Sequence, residues 1–319
     1  GATVAPIGAW FLAWVSLAPL WMLVVKFTPK TDKNYPSPPL LGLIWGIGYH
    51  GVALSWITGI HPMDWLGVPW LPSLTITLFS WAFISLWGGI LVSIWAALMV
   101  RLDRGKPWLR VLIGTALWCG LENLWSAGPL WWSSLAYTQS PYNLAILHLG
   151  QLSGPNTVTA VIVAFNGFIA EYLTQRRTNA KEERIPHPNT SVSSVPPWFV
   201  NSYLILATTL LITSHFIGFI LYSKPLNLTP NTALKIGVIQ GNIPNKIKVL
   251  PQGLNLAITG YTQGYLSLTR QGVQAVLTPE SAIPIFISEL AQTSLFGAIQ
   301  ERGVVAWIGA FGEQGNSYT

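Results

Sequence analysis

The sequence predicts two parts, a multi-span α-helical membrane domain over residues 1–222 and an incomplete α/β domain over residues 223–319. Hydrophobic residues make up 51% of the chain and charged residues only 9%, with a mean hydropathy of +0.45, far from a soluble average. Long apolar runs recur up to about residue 222. After that point, short strand-like runs alternate with helical segments, a pattern typical of an α/β sheet.

Six apolar runs are the candidate membrane spans, and most reach the ~20 residues that a helix needs to cross a bilayer. The fifth run is interrupted by Gly150, Gly154 and Pro155, so we expect a break in its helix. The six runs cover residues 6–25, 40–60, 73–100, 108–126, 144–173 and 199–222.

Lysine and arginine are concentrated in three connections that alternate with two connections lacking them. The positive-inside rule places the basic connections in the cytoplasm. With six spans, the residues after 222 then lie on the extracytoplasmic side. This pattern explains the net charge of +6 better than phosphate binding does, so we predict no nucleic-acid partner. The basic connections are 26–36, 101–110 and 174–184, the last extended by a Pro- and Ser-rich stretch into a linker over 174–198; the others are 61–72 and 127–143.

Cys119 is the single cysteine, which excludes an internal disulfide and a cysteine-based metal site. It lies in the fourth apolar run, where we expect a packing role. The histidines share no ligand spacing, so no metal is predicted, and no cofactor is predicted either. The chain begins at Gly1 and stops after a polar turn at Thr319, so we expect a fragment of a longer protein.

Glu280 directly follows a strand-like run in the second part. A carboxylate at the carboxyl end of a buried strand is held on a rigid element and reaches a cleft, as a general base must. The alternative is an acid that stabilises a helix N-terminus or lies exposed in a loop. The predicted elements are strands over 234–242, 274–279 and 303–311 and helices over about 251–271 and 286–301.

Two motifs carry a family resemblance. Gly237-Val-Ile-Gln-Gly-Asn-Ile-Pro244, followed by Thr278-Pro-Glu-Ser-Ala-Ile-Pro284, closely resembles the nitrilase-like (carbon-nitrogen hydrolase) domain of apolipoprotein N-acyltransferases. In the membrane half, Trp45-Gly-Ile-Gly48 and Arg110-Val-Leu-Ile-Gly114 are similar to that family's spans. The resemblance implies an α-β-β-α sandwich on the periplasmic side of the bacterial cytoplasmic (inner) membrane.

The same resemblance implies a Glu–Lys–Cys triad. The cysteine thiolate attacks the sn-1 ester of a phospholipid, and the resulting thioester passes its acyl chain to the α-amino group of an apolipoprotein's diacylglyceryl-cysteine. Glu280 matches the triad's general base, while the lysine would stabilise the oxyanion. In the family both the lysine and the cysteine lie downstream of Thr319, so the 319-residue chain alone is expected to be inactive.

Three further residues are candidates for substrate binding. Lys246 and Lys248 follow the first strand, where they could contact phospholipid head groups at the bilayer surface, with a solvated loop as the alternative. Glu122 lies within a predicted span, where a carboxylate is costly and usually faces a cavity or a polar partner. Its alternative is a residue at the end of a span that reaches the interface.

Two other functions remain open from the residues. One is a membrane-tethered amidase or nitrilase acting on a small C–N substrate. The other is a transporter or scaffold that uses Glu122 as its functional charge. Against a transporter, the apolar runs carry one clear acid and no pairing base, which is little for an ion path.

Overall fold

A computed structural model describes residues 1–26, 36–184, 197–225, 233–314 and 317–318. By its internal contacts the chain forms two compact units, called here the helical unit and the sheet unit. The helical unit comprises Gly1–Gly59 and Ile76–Pro225, and the sheet unit comprises Ile60–Thr75 and Leu226–Thr319.

Long helices dominate the chain before residue 226. Short 3-10 helices at Trp10–Trp14, Ser55–Ile60, Asp64–Leu66 and Leu135–Gln139 connect them. The α-helices are α1 (Ala18–Lys26), α2 (Pro38–Ala53), α3 (Trp70–Arg101), α4 (Pro107–Ser126), α5 (Leu144–His148), α6 (Gly150–Ser153), α7 (Pro155–Arg184) and α8 (Pro197–Ser223).

Three helices in the described part of the chain are long and apolar enough to cross a membrane: Trp70–Arg101, Pro155–Asn179 and Asn201–Ser223. The expected break in the fifth run is confirmed, because α5 and α6 end before Pro155 begins α7. α7 continues to Arg184, through the basic connection predicted at 174–184, and linker residues 185–196 lie outside the described part.

The apolar run over 6–25 does not form one continuous α-helix. A 3-10 helix ends at Trp14, and α1 has only 9 residues, about 14 Å at 1.5 Å per residue. Asn166 of α7, fully buried, explains the break: its Oδ1 accepts hydrogen bonds from the backbone N–H groups of Leu17 and Ala18, both at 3.0 Å. Its Nδ2 donates to the carbonyl of Ala13 at 2.9 Å, so the interrupted backbone is satisfied inside the bundle.

A buried ion pair joins α4 to α7. Arg110 Nε and Nη2 donate to the two oxygens of Glu171 at 2.9 and 2.8 Å, and Glu171 is 0% exposed. Trp21 Nε1 also donates to Glu171 at 3.1 Å, and Arg110 forms a second ion pair with Asp103 at 3.2 Å. The expectation of a single intramembrane acid with no pairing base is therefore wrong. Through these contacts Glu171 links α7 to α4 and α1.

The sheet unit is built around three parallel strands in the order β1, β2, β3. The predicted helix over 251–271 is confirmed, and the helix expected over 286–301 is divided in two. The elements are β1 (Ile236–Val238), α9 (Asn245–Lys248), α10 (Pro251–Arg270), β2 (Ala275–Leu277), α11 (Ile287–Leu290), α12 (Ser294–Arg302), β3 (Val305–Trp307) and an antiparallel pair, β4 (Glu313–Gln314) and β5 (Ser317–Tyr318).

One face of this sheet is packed and the other is open. The middle row, in which Gly237 pairs with Val276 and Val276 with Ala306, lies on the core that α10 and α12 complete. The next row is apolar yet exposed, at 68% for Val238, 41% for Leu277 and 50% for Trp307. The described residues thus form a helical membrane part and a small parallel sheet covered by helices on one face.

Candidate active site

The candidate site is the carboxyl edge of the three-stranded sheet. Because β1, β2 and β3 are parallel and in register, the segments that leave them meet at this edge. They are Ile239–Asn242 after β1, Pro279–Ser281 after β2 and Ile308–Phe311 after β3. The sequence motifs around Asn242 and Glu280 therefore lie on neighbouring strand ends.

Thr278 fixes the turn that carries Glu280. Its hydroxyl donates to the carbonyl of Trp307 at 3.2 Å and accepts from the N–H of Gly309 at 3.1 Å. On the other side of the turn, the N–H of Ile283 donates to the carbonyl of Gly309 at 3.0 Å. Thr278 is 8% exposed and Ile283 is 0% exposed, so both ends of the turn are anchored in the core.

Gly309 is required by the close approach of β3 to this turn. A Cβ atom at this position would lie 2.2 Å from the carbonyl oxygen of Pro279 and 2.6 Å from the nitrogen of Ser281. Both atoms belong to the backbone, so neither can rotate away. Ser281 has a φ of 49°, a left-handed backbone conformation that residues other than glycine seldom adopt. Such strain at a tightly held turn is typical of functional sites.

Glu280 is the exposed residue in the middle of this anchored turn. Across the described residues, no hydrogen bond or ion pair engages its carboxylate. A carboxylate whose backbone is anchored and that has no hydrogen-bond partner can accept a proton from an incoming group. The alternative of an acid at a helix N-terminus does not fit, since α11 begins only at Ile287, whereas the exposed loop position is the one that the structure has.

Tyr261 of α10 supports the neighbouring strand end. A Cβ atom on Gly241 would lie 2.4 Å from the Tyr261 hydroxyl oxygen, so only glycine allows this approach. Burial raises the pKa of Tyr261, and a backbone hydrogen bond from Gly241 opposes that shift. The phenol therefore stays neutral at ordinary pH and packs beneath the turn after β1.

Lys246 and Lys248 lie on α9, just after the segment that leaves β1. Lys246 is exposed and Lys248 is half-buried, and no ion pair within the described part of the chain connects either of them with Glu280. α9 packs beside the 3-10 helix Asp64–Leu66 of the same unit. Both lysines therefore lie on a short helix rather than in a loop.

Glu122 is enclosed in the helical unit, at 2% exposure. Its Oε1 accepts a hydrogen bond from the N–H of Leu135 at 3.1 Å, across the connection 127–143. Nearby, the hydroxyl of Ser133 lies 2.7 Å from His50 Nδ1, and its carbonyl accepts from the Tyr49 hydroxyl at 3.2 Å. Glu122 therefore helps to attach that connection to the helices.

The described part of the sheet unit contains neither a candidate metal site nor a cysteine. The described residues contain no group of His, Cys, Asp and Glu that could hold a metal ion. Cys119 belongs to α4, in the other unit, and its sulfur lies 3.8 Å from the carbonyl of Asn156, consistent with packing between helices. The sheet unit has no cysteine in its sequence, so it supplies no thiol.

The comparisons with known proteins decide the family. A family model described as the apolipoprotein N-acyltransferase N-terminal domain matches residues 1–168. The chain belongs to the apolipoprotein N-acyltransferase family. A Nostoc relative named apolipoprotein N-acyltransferase is 61% identical over 321 residues, covering 100% of this chain and 60% of its own length.

Two further relatives carry the same name. The Synechocystis protein is 40% identical over 100% of this chain and 62% of its own length. The Thermosynechococcus vestitus protein is 37% identical over 97% of this chain and 54% of its own length. The chain thus spans a little more than half of the length of these curated relatives, which agrees with the expectation of a fragment.

Thr278, Gly309 and Tyr261 form the frame of the site, and the sequence analysis did not single them out. Thr278 was detectable in principle, because a hydroxyl residue at a strand end often bonds to the next strand. Gly309 and Tyr261 act through contacts across the sheet and from α10, and only the folded chain reveals those contacts.

Proposed function

We propose that the whole protein is a membrane acyltransferase that moves an acyl chain from a phospholipid to the α-amino group of an apolipoprotein's diacylglyceryl-cysteine. The observation that carries this proposal is the exposed, unpaired carboxylate of Glu280 on a turn anchored at both ends. The family to which the chain belongs supplies the reaction class. Phospholipid, apolipoprotein and bilayer are the proposed partners.

In the first half-reaction, Glu280 takes the proton of a cysteine thiol supplied by the rest of the protein. The thiolate attacks the ester carbonyl of the phospholipid, and the C–O bond breaks as the thioester forms. The lysophospholipid leaves as an alcohol, receiving the proton that Glu280 holds. A lysine, likewise from the rest of the protein, stabilises the oxyanion of the intermediate.

In the second half-reaction, the amine of the apolipoprotein attacks the thioester. A C–N bond forms, the C–S bond breaks, and Glu280 accepts the proton that the amine loses. That proton returns to the cysteine sulfur, so the enzyme is restored. The exposure of Glu280 supports its use in both half-reactions, because the cysteine thiol and then the apolipoprotein amine must reach the same carboxylate.

We place the sheet unit on the extracytoplasmic face of the cytoplasmic membrane. The basic connections support this orientation through the positive-inside rule. Lys246 and Lys248 are the proposed contacts for the phosphate of the donor lipid, since both lie on α9, which follows the segment that leaves β1. Glu122 contributes indirectly, by holding the connection 127–143 in place.

We further propose that the sheet belongs to an α-β-β-α sandwich. The row formed by Val238, Leu277 and Trp307 is apolar and open, as a face covered by a second sheet would be before that sheet is added. The relatives are long enough to supply such a sheet, since the matched segment covers only 60% of the Nostoc protein.

The test is acyl transfer by the full-length protein in detergent, with a phospholipid donor and a diacylglyceryl peptide acceptor. Glu280→Gln should lower the rate at least about a hundredfold without altering the melting temperature. Glu301→Gln, which removes an exposed carboxylate of α12, should leave the rate unchanged and is the matched control. Hydrolysis of a small amide without phospholipid would instead support an amidase, and an unchanged rate in Glu280→Gln would refute the base assignment.

A further inference from the structure

An apolar groove opens along one face of α4 in the helical unit. Its volume is about 420 Å³. Five of its residues lie on α4 at the spacing of one helix face, and two of these, Ala116 and Gly120, have almost no side chain. A Cβ atom on Gly120 would meet nothing within 4 Å. The groove is lined by Leu102, Ile113, Ala116, Leu117, Gly120 and Leu121.

A turn with uncompensated positive charge adjoins this groove. Leu102, one wall of the groove, lies in the α3–α4 turn with the exposed cations Arg104 and Lys106, directly after the exposed Arg101 that ends α3. Within the described chain, none of these three cations has a hydrogen bond or an ion pair. Asp103, the acid of the turn, already forms an ion pair with Arg110 at 3.2 Å. It also accepts a hydrogen bond from the N–H of Gly105 at 2.8 Å.

We propose that the groove and this turn together bind one anionic phospholipid. An acyl chain fills the apolar groove on α4, and the phosphate lies against Arg101, Arg104 and Lys106. Apolar lining alone would accept any acyl chain, whereas unpaired cations beside it select a negatively charged head group. No residue of the sheet unit takes part, so the site is independent of the proposed acyl transfer.

A second transmembrane helix is the competing occupant. Ala116 and Gly120 are four residues apart, a spacing at which small residues permit close helix packing. A helix in the groove would leave the three cations without partners, however, whereas an anionic lipid satisfies both features at once. The charge of the turn therefore favours the lipid.

Native mass spectrometry of the full-length protein in detergent tests the proposal. The probes are palmitoyl-oleoyl phosphatidylglycerol, which is anionic, and phosphatidylcholine with the same chains, which is not. Wild type should bind the first phosphatidylglycerol molecule more tightly than phosphatidylcholine. Arg101→Gln with Arg104→Gln should weaken phosphatidylglycerol binding about thirtyfold, since each cation near a head group contributes about fivefold.

The control for charge is Arg176→Gln with Arg177→Gln, which removes two exposed arginines near the end of α7 and should not change this binding. For the groove, Gly120→Leu should weaken the binding of both lipids about tenfold, because the leucine side chain fills the space. Gly48→Leu is its matched control, because Gly48 is a helical glycine that also has nothing within 4 Å.

Three results would overturn the proposal. The first is equal binding of the two lipids by wild type. The second is a Gly120→Leu variant that binds phosphatidylglycerol as wild type does. The third is a dimer mass that Gly120→Leu abolishes while lipid binding persists, which would assign the groove to a second copy of the chain.

Discussion

Glu171 in the helical unit and Glu280 in the sheet unit are acids in opposite circumstances. Glu171 is 0% exposed and accepts hydrogen bonds from Arg110 and Trp21, so its charge is fully used by the protein. Glu280 is exposed and has no partner in the described part of the chain, although the backbone around it is anchored. A carboxylate that is buried and ion-paired is typical of a structural acid. An unpaired carboxylate on an anchored turn is a candidate catalytic group.

The largest expected effect concerns the structural acid. Arg110→Met should lower the free energy of unfolding by about 3–5 kcal/mol, because it leaves the carboxylate of Glu171 buried and uncompensated. Thermal or denaturant unfolding in detergent measures this loss. The double variant Arg110→Met with Glu171→Leu should recover most of the stability. If it is as unstable as the single variant, the pair is not an energetic unit.

A smaller effect should follow when the turn around Glu280 is displaced. Gly309→Ala places a methyl group against the backbone of Pro279 and Ser281, which should cost about 1–3 kcal/mol and reduce acyl transfer markedly. Gly297→Ala is the control, since Gly297 lies in α12 with nothing within 4 Å. Activity and melting temperature of both full-length variants should be compared. Equal activity in the two would show that the turn need not be rigid.

The broken first run offers a comparable test in the helical unit. Asn166→Leu removes the acceptor for Leu17 and Ala18 and should destabilise by about 1–3 kcal/mol, the cost of unsatisfied buried groups. Faster hydrogen exchange at the start of α1 would accompany this loss. Asn166→Asp keeps the acceptor but loses the donor to Ala13, so exchange there should be slower than in Asn166→Leu. Identical exchange in Asn166→Leu and wild type would contradict the capping role.

The smallest effect is expected at Thr278. Thr278→Val removes the hydroxyl that links the turn to Trp307 and Gly309 while it keeps the shape of the side chain. Stability should fall by about 1 kcal/mol, with a few-fold loss of activity as the turn loosens. Thr278→Ser retains the hydroxyl and should behave as wild type. A Val variant with full activity would limit Thr278 to packing.

Local pattern predicted the elements whose determinants are near in sequence. The helix over 251–271, the strand before Glu280 and the break at Gly154–Pro155 belong to this group. The break in the run 6–25 was missed because the residue that stabilises it, Asn166, is about 150 positions away. The Glu171–Arg110 pair was missed although both residues lie within predicted apolar runs, where charged residues call for partners.

For the site, the sequence placed Glu280 at a strand end, which the structure has, while its catalytic role stays a prediction. The acids of the chain differ in how far they are buried and in whether they have partners. The residues adjacent to each acid in the sequence do not determine either property. Glu122, Glu171 and Glu280 all follow or interrupt apolar runs, yet only Glu280 is exposed. That distinction required the folded chain.

The most direct test of the account is the mass of the full-length protein after incubation with phospholipid and no acceptor. A single acyl chain should add to a cysteine downstream of Thr319, at an unchanged rate in Cys119→Ser and far more slowly in Glu280→Gln. An acyl adduct that forms as fast in Glu280→Gln as in wild type, or that resides on Cys119, would contradict the assignment of Glu280 as the base.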